Sequence, residues 1–174
     1  MIVSTRLRWI PLLTGLLILS ACDSAHQNQA VAAADFDAQT SCSLDGMLLS
    51  EYPGPKAQIY YDGEDKPVYF CDTVELFHTL LQPEQIKKIR SIFVQDMAKT
   101  EWDKPVSHWT DARSAFYVSG SKRNGSMGPT LGSFALETDA VAFTKQYGGK
   151  VLKFADIHAD MVDLSGGALH DSKM

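Results

Sequence analysis

Three sulfur-bearing side chains have the type and setting of ligands for a soft metal ion: Cys42, Met47 and Met127. Cys42 and Met47 are five positions apart in CSLDGM, and Gly46 allows a turn that brings both sulfurs to one ion. Met127 lies in NGSMGPT, whose composition is typical of an exposed loop. Packing against a core does not explain a methionine in such a loop. Met97, which follows the apolar run SIFVQD, is by contrast expected to pack.

Thiolate and thioether sulfurs form a soft donor set, and softness selects Cu(I) over zinc or magnesium. A structural zinc site would need four Cys or His ligands, usually in Cys-x-x-Cys pairs, and the sequence contains no such pair. A partly open site on loops also suits a metal carrier, because a carrier must release its cargo. The spacing therefore indicates a Cu(I) carrier.

Cys71 leaves a second interpretation open. Two free thiols in an oxidising compartment normally pair, and a Cys42–Cys71 disulfide would join the N-terminal segment to the start of the first predicted helix. The chain would then be a metal-free adaptor that docks on a membrane partner through its loops. The number of cysteines does not decide between the two interpretations. In the copper interpretation, Cys71 is expected to be a small buried residue and not a ligand.

Two other function classes find little support in the sequence. It contains no G-x-S-x-G, H-E-x-x-H, phosphate-loop or dinucleotide-binding motif, and its five histidines are scattered, so we predict that it is not an enzyme. Removing residues 1–21 would take away Arg6 and Arg8 and lower the basic count from 16 to 14. Against 21 acidic residues this leaves a net charge of −7, which argues against a nucleic-acid partner.

The first 22 residues have the features of a bacterial lipoprotein signal. Two arginines precede an apolar run at 9–19 that is too short to cross a bilayer comfortably as a helix. The following LSAC resembles a lipobox, in which Cys22 becomes the first, lipidated residue after residues 1–21 are removed. Asp23 resembles the signal that retains many Gram-negative lipoproteins in the inner membrane. We therefore expect a lipid anchor at the periplasmic face of that membrane.

The remaining chain predicts an α+β fold of two ββαβ units behind a tether. Residues 22–40 are polar and lack an apolar period, which is typical of a flexible tether. The first unit, 41–110, has predicted strands at 57–61, 68–71 and 91–97 and a helix over 74–81 capped by Asp72 or Thr73. The second unit, 111–160, repeats this order with strands at 114–120, 131–136 and 150–157 and a helix at 137–148. Residues 161–174 are expected to form a frayed tail.

Motifs spread from Cys42 to Ile157 resemble the NosL family, copper-binding lipoproteins that serve the assembly of nitrous-oxide reductase. In chain order they are CSLDGM, EYPGPKAQ, YFCDTVELF, IFVQDM, DARSAFYVSGS, SMGPTLGSFA and YGGKVLKFADI. The resemblance implies a membrane-tethered periplasmic Cu(I) chaperone that delivers copper to the copper centres of nitrous-oxide reductase, together with an ABC-type membrane complex. It also implies that Cys42, Met47 and Met127 are copper ligands.

The sequence departs from the family pattern at Asp45. Many members read Cys-x-x-Cys-Gly-Met, with a second cysteine at this position, and the hard carboxylate of Asp45 is a poor Cu(I) ligand. A histidine or a solvent molecule is left to complete the copper shell, and the C-terminal tail offers only His170 and Met174. In EYPGPKAQ, Lys56 is expected to be exposed on a turn.

Overall fold

The protein is described here by a computed structural model that covers residues 31–164. The predicted signal peptide, Cys22 and Asp23 lie outside the described residues, as do His170 and Met174 of the predicted tail. No helix between residues 31 and 164 combines the length and the apolar character that crossing a membrane requires.

The first half of the described chain builds a four-stranded antiparallel sheet with one helix. Its elements are β1 (Ala57–Tyr61), β2 (Val68–Phe70), α1 (Thr73–Leu81), β3 (Ile89–Gln95) and β4 (Trp109–Asp111). The strand order is β2-β1-β3-β4, which places β1 in the interior of the sheet. All five residues of β1 are buried, as expected of a strand covered on both faces.

The second half repeats this plan in a three-stranded antiparallel sheet. Its elements are β5 (Phe116–Ser119), β6 (Asn124–Gly125), β7 (Gly128–Pro129), β8 (Gly132–Phe134), α2 (Glu137–Tyr147) and β9 (Lys150–Lys153). The order β8-β5-β9 places the first strand of the unit between the second and the last, as β1 lies between β2 and β3. The predicted α+β fold with two ββαβ units is therefore confirmed. The small hairpin β6–β7 and strand β4 were not predicted.

Local capping residues mark the start of α1 and the end of α2. Asp72 precedes α1, and its side chain accepts a hydrogen bond from the backbone N–H of Val74, which satisfies a free donor in the first turn. Gly148 lies at the C-terminal end of α2 and has φ of 76°, a conformation that glycine adopts without strain. Its N–H donates to the Thr144 carbonyl. Asp72 thus accounts for the start of α1, and Gly148 for the end of α2.

One core of buried side chains joins the two units. Its members come from both sheets and include Ile59, Leu76, Val94, Tyr117 and Leu152. The ring of Phe77 on α1 meets Tyr117 of β5 edge to face, with centroids 5.0 Å apart. Burial of each aromatic side chain stabilises the fold by about 1.5–3 kcal/mol, so this contact fixes α1 against the second unit.

The structure differs from expectation at both ends of the described chain. Phe36, within the segment predicted as a tether, packs against Tyr69 and Trp109 with ring centroids 6.4 and 6.3 Å away. The indole N–H of Trp109 also donates to the Asp35 carboxylate at 2.8 Å. At the other end, Val162 is 1% exposed and belongs to the core. Single anchoring side chains such as these leave no periodic pattern in the sequence.

Candidate metal site

Cys42 lies on a short turn that folds the CSLDGM segment back on itself. Its N–H donates to the Met47 carbonyl at 2.8 Å, and the Gly46 N–H donates to the Cys42 carbonyl at 3.0 Å. Gly46 has φ of 79°, which only glycine adopts readily, so the predicted turn at this position is present. Met47 is half-buried and packs against the cluster formed by Cys42, Cys71 and Leu49.

Cys71 and Glu75 are brought to the same place by the junction between β2 and α1. Cys71 follows the last residue of β2, and Glu75 lies in the first turn of α1. The helix turns the Glu75 carboxylate back toward the strand end, where it accepts a hydrogen bond from the Cys71 N–H at 3.1 Å. The backbone thus fixes the carboxylate beside the Cys71 thiol.

Two thiols and a carboxylate meet in this cluster. Glu75 Oε2 is 3.1 Å from the Cys42 sulfur and 3.5 Å from the Cys71 sulfur. Together with a carboxylate oxygen of Asp45, these ligand atoms all lie within 4.8 Å of one another. Cys42, Cys71 and Glu75 are at most 3% exposed, whereas Asp45 is exposed at the edge. Both cysteines are free thiols in the structure. The spacing of the four ligand atoms is that of a metal site.

The pKa values of the three buried groups in the cluster are shifted in different directions. Hydrogen bonding with Cys71, assisted by the N–H of Leu44, lowers the pKa of Cys42 to about 6. The pKa of Cys71 is raised, because its proton is retained in the hydrogen bond to Cys42 and because the residue is buried. Burial and the Cys42 sulfur raise the pKa of Glu75 to about 9. At neutral pH the cluster therefore holds a Cys42 thiolate, and a cation that binds both sulfurs must displace the Cys71 proton.

Lys56 is buried next to this cluster, so the prediction that it is exposed is wrong. The EYPGPKAQ turn directs it inward, where its ammonium donates to the carbonyls of Pro53 and Cys71, both at 3.0 Å. Its side chain is 0% exposed, and burial lowers its pKa against the opposing effect of Cys71, Asp72 and Glu75. A buried cation of this kind offsets negative charge that gathers on the sulfurs and carboxylates.

Met127 lies at the turn of the β6–β7 hairpin and is 40% exposed, as predicted for a loop methionine. The residue before it, Ser126, donates its backbone N–H to the Asp72 carboxylate at 3.1 Å. The Ser126 side chain also acts on the Cys71 thiol through a hydrogen bond that lowers its pKa, against the larger raising effects. The structure therefore places the Met127 turn beside Cys71, although its role as a ligand stays a prediction.

Glu75 was not predicted as a candidate ligand, and Cys71 was expected to be a small buried residue and not a ligand. Glu75 resembles an ordinary acidic residue in the first turn of a helix, where it interacts favourably with the helix dipole. The signal available was its spacing of four residues from Cys71, which brings the two side chains together only if the helix begins immediately after the cysteine. Cys71 is buried, as expected, but its sulfur also faces Cys42 and Glu75.

Two ββαβ units on a shared core, with buried thiols and a carboxylate at a strand–helix junction, define a small α+β protein with a candidate soft-metal site. The sequence model of the NosL family matches residues 33–162. The chain therefore belongs to the NosL family.

Individual relatives agree with this assignment. A protein from Achromobacter cycloclastes named copper-binding lipoprotein NosL is 40% identical over 162 residues, covering 91% of this chain and 83% of that protein. The protein of the same name from Stutzerimonas stutzeri is 35% identical over 159 residues, covering 88% and 83%. The crystal structure of the copper chaperone NosL from Shewanella denitrificans superposes with a TM-score of 0.69 at 42% identity, covering 76% of this chain and 98% of that one.

Proposed function

We propose that this protein is a Cu(I) chaperone in which Cys42, Met47 and Met127 bind the ion. The observation that carries the proposal is the cluster itself: two buried free thiols with ligand atoms within 4.8 Å of one another, one of them favoured as a thiolate. Thiolate and thioether sulfurs suit Cu(I). The names of the relatives, copper-binding lipoprotein and copper chaperone, support the same ion.

Cys71 extends the proposed ligand set. Its sulfur lies within 4.8 Å of the Cys42 sulfur, so both thiolates are within reach of one ion. Two thiolates on Cu(I) give a net negative charge, and the buried Lys56 ammonium beside Cys71 offsets it. The second thiolate that the sequence motif lacks at Asp45 is thus supplied from the start of α1.

The exposure of the proposed ligands suits release of copper. Cys42 and Cys71 are buried, whereas Met127 is 40% exposed on a hairpin turn. A thioether is a neutral, weaker donor than a thiolate. An incoming sulfur from a partner protein therefore replaces Met127 first, and the buried thiolates hold the ion until the partner is bound.

The proposed recipient is nitrous-oxide reductase, served together with an ABC-type membrane complex. The proposed location is the periplasmic face of the inner membrane, through a lipid on Cys22 after removal of residues 1–21, with Asp23 as the retention signal. The lipobox-like residues 19–22 and the lipoprotein names of the relatives support the anchor. Packing against the folded part begins near Ala34, so residues 34–37 are not part of a free tether.

Transfer of copper tests this function directly. The mature protein, purified in detergent and loaded with one equivalent of Cu(I), is mixed anaerobically with copper-free nitrous-oxide reductase, and the copper content and visible absorption of the re-isolated enzyme are measured. We expect copper to move to the enzyme. Cys42→Ala should abolish the transfer, whereas Ser43→Ala, at the exposed neighbouring residue, should leave it unchanged. Retention of copper by the loaded protein would contradict the proposal.

The metal-free adaptor is the second candidate, because the Cys42 and Cys71 sulfurs lie close together. It predicts that protein isolated from the periplasm contains no reactive thiol after denaturation. The copper proposal predicts two reactive thiols per mature chain, apart from the lipidated Cys22, in protein isolated in the same way without reductant. Counting thiols under denaturing conditions separates the two candidates.

A further inference from the structure

The β6–β7 hairpin that carries Met127 is too small to hold its own shape. Each strand contributes two residues, with Asn124 paired to Pro129 and Gly125 to Gly128. An isolated two-stranded hairpin is marginal in water even when it is longer than this. The position of Met127 must therefore be set by contacts between the hairpin and the rest of the protein.

One buried carboxylate supplies several of these contacts. Oδ2 of Asp72 accepts hydrogen bonds from the Ser126 N–H at 3.1 Å and from the Ser126 hydroxyl at 3.4 Å. Oδ1 accepts from the Thr130 hydroxyl at 2.6 Å and from the Val74 N–H at 2.9 Å. Asp72 is 1% exposed, and its bonds with Thr130 and Val74 are buried, whereas its bonds with Ser126 are partly buried. Oδ2 thus holds the hairpin turn, whereas Oδ1 caps α1 and binds Thr130, which directly follows β7.

The hairpin backbone also packs closely against the Asp72 carboxylate. A Cβ atom at Gly125 would collide with Asp72 Oδ2, and a Cβ atom at Gly54 would lie 2.7 Å from the Gly125 Cα. On the far side, the Trp102 indole donates to the Asn124 carbonyl at 2.8 Å. The base of the hairpin is therefore fixed between Gly54 and Asp72, with Met127 at its tip.

We propose that Asp72 is a positioning residue that holds the Met127 thioether at the thiol cluster. Asp72 follows Cys71 directly in the chain, and its Oδ2 binds the residue before Met127, so one side chain fixes the spacing between a cluster cysteine and the methionine. The inference rests on the proposed function and adds to it a residue that does not itself touch the metal. Without this carboxylate, the hairpin turn is free to move and the thioether leaves the copper shell.

Asp72→Asn separates the two tasks of the side chain. Asparagine keeps an oxygen that caps α1 and accepts from Thr130, and it is an equally good N-cap residue. Its amide replaces Oδ2 with a donor that faces the Ser126 N–H and cannot accept from it. We expect Cu(I) binding to weaken about fivefold, the loss that corresponds to one net hydrogen bond of the usual strength. The matched control is Asp96→Asn, the same change at another aspartate that is only 2% exposed and lies outside the cluster, which should bind Cu(I) as the parent does.

The decisive readout is the double variant. Cu(I) affinity of the mature protein in detergent is measured by competition with a chromophoric chelator for the parent, Asp72→Asn, Met127→Ala and the combination. If Asp72 acts through Met127, the combination binds no more weakly than Met127→Ala alone. X-ray absorption should show one sulfur ligand fewer in Asp72→Asn, as in Met127→Ala. Gly125→Ala, which pushes the hairpin off the carboxylate from the other side, should behave alike and serves if Asp72→Asn does not fold.

Each other outcome overturns the inference. Losses that multiply in the double variant would show that Asp72 acts independently of Met127, and an unchanged affinity in Asp72→Asn would show that it does not act at all. Either result leaves copper binding by the parent, and with it the proposed function, intact. A Met127→Ala protein with parental affinity would remove Met127 from the ligand set. Failure of the parent itself to compete for Cu(I) would overturn the proposed function and the inference together.

Discussion

Glu75 holds one of the protons of the cluster. Its carboxyl is 1% exposed, contacts the Cys42 sulfur at 3.1 Å and has a pKa raised to about 9, so it is protonated in the folded protein at neutral pH. In the unfolded chain the same group ionises near pH 4.5. Between these two values folding must hold a proton that the unfolded state releases, which disfavours the fold increasingly as the pH rises.

Replacement of Glu75 by glutamine should therefore remove a pH dependence. Glutamine keeps the shape of the side chain and cannot ionise. The parent should lose stability as the pH rises, so the free energy of unfolding of Glu75→Gln minus that of the parent should increase from about pH 4.5 to about pH 9. The lowered pKa of Cys42 acts in the opposite direction above about pH 6, and comparison with the glutamine variant removes most of that contribution. The measurement is urea unfolding of the reduced apo protein at a series of pH values. A constant difference between the two proteins would contradict the raised pKa.

Single residues were predictable from the sequence where their local setting decides their role. The Gly46 turn and the exposed Met127 follow from the types of their immediate neighbours. Lys56 and Glu75 were not predictable, because a lysine or a glutamate is buried only when tertiary partners satisfy it. Lys56 donates to the Cys71 carbonyl, which lies in another part of the chain. Glu75 accepts from the Cys71 N–H, which lies at the end of the preceding strand.

At the scale of elements, periodicity and end signals located most of the fold. The strand at 57–61 and the helix beginning after Asp72 agree with the predicted positions, because each combines an apolar pattern with a clear boundary residue. The hairpin β6–β7 and strand β4 were not predicted, because strands of two or three residues are too short to show a hydrophobic periodicity. The last predicted strand is shorter than expected, because the Asp156 carboxylate accepts from the Lys153 N–H and closes a turn after Lys153.

The packed N-terminal segment gives a prediction at this scale. Phe36 holds residues 34–37 against β2 and β4 through its ring contacts with Tyr69 and Trp109. Phe36→Ala should release the segment and increase proteolytic cleavage between residues 31 and 40 severalfold, because local opening governs cleavage. Gln39→Ala, at an exposed residue of the same segment, is the control and should be cleaved at the parental rate. Equal cleavage of both variants would show that Phe36 does not anchor the segment.

At the scale of the whole molecule, the proposed copper ligands come from both ββαβ units. Cys42, Cys71 and Glu75 belong to the first half of the chain, whereas Met127 lies between β5 and β8 of the second. A metal bound by both sets of ligands therefore links the units in addition to their shared core. The duplication of strand order was visible in the sequence, but the meeting of these particular residues depends on long-range packing.

Copper binding should consequently stabilise the whole folded domain. A ligand that binds only the folded state adds about 2.7 kcal/mol at one hundred times its dissociation constant. We expect anaerobic Cu(I) to raise the thermal midpoint of the reduced mature protein in a single transition, and to raise it less in Met127→Ala. Calorimetry of the apo and copper-loaded forms measures this. Two separate transitions, or an equal shift in Met127→Ala, would contradict a site that spans both units.

We propose above all that Cys42 anchors a Cu(I) ion in this protein. The most direct test of this proposal is an anaerobic titration of the reduced mature protein with Cu(I) against a chromophoric chelator, with Cys42→Ala and Ser43→Ala measured alongside. We expect that the parent and Ser43→Ala each retain one Cu(I) per chain, and that Cys42→Ala loses it to the chelator. A parent that yields all its copper to the chelator, or a Cys42→Ala variant that retains the ion as the parent does, would contradict it.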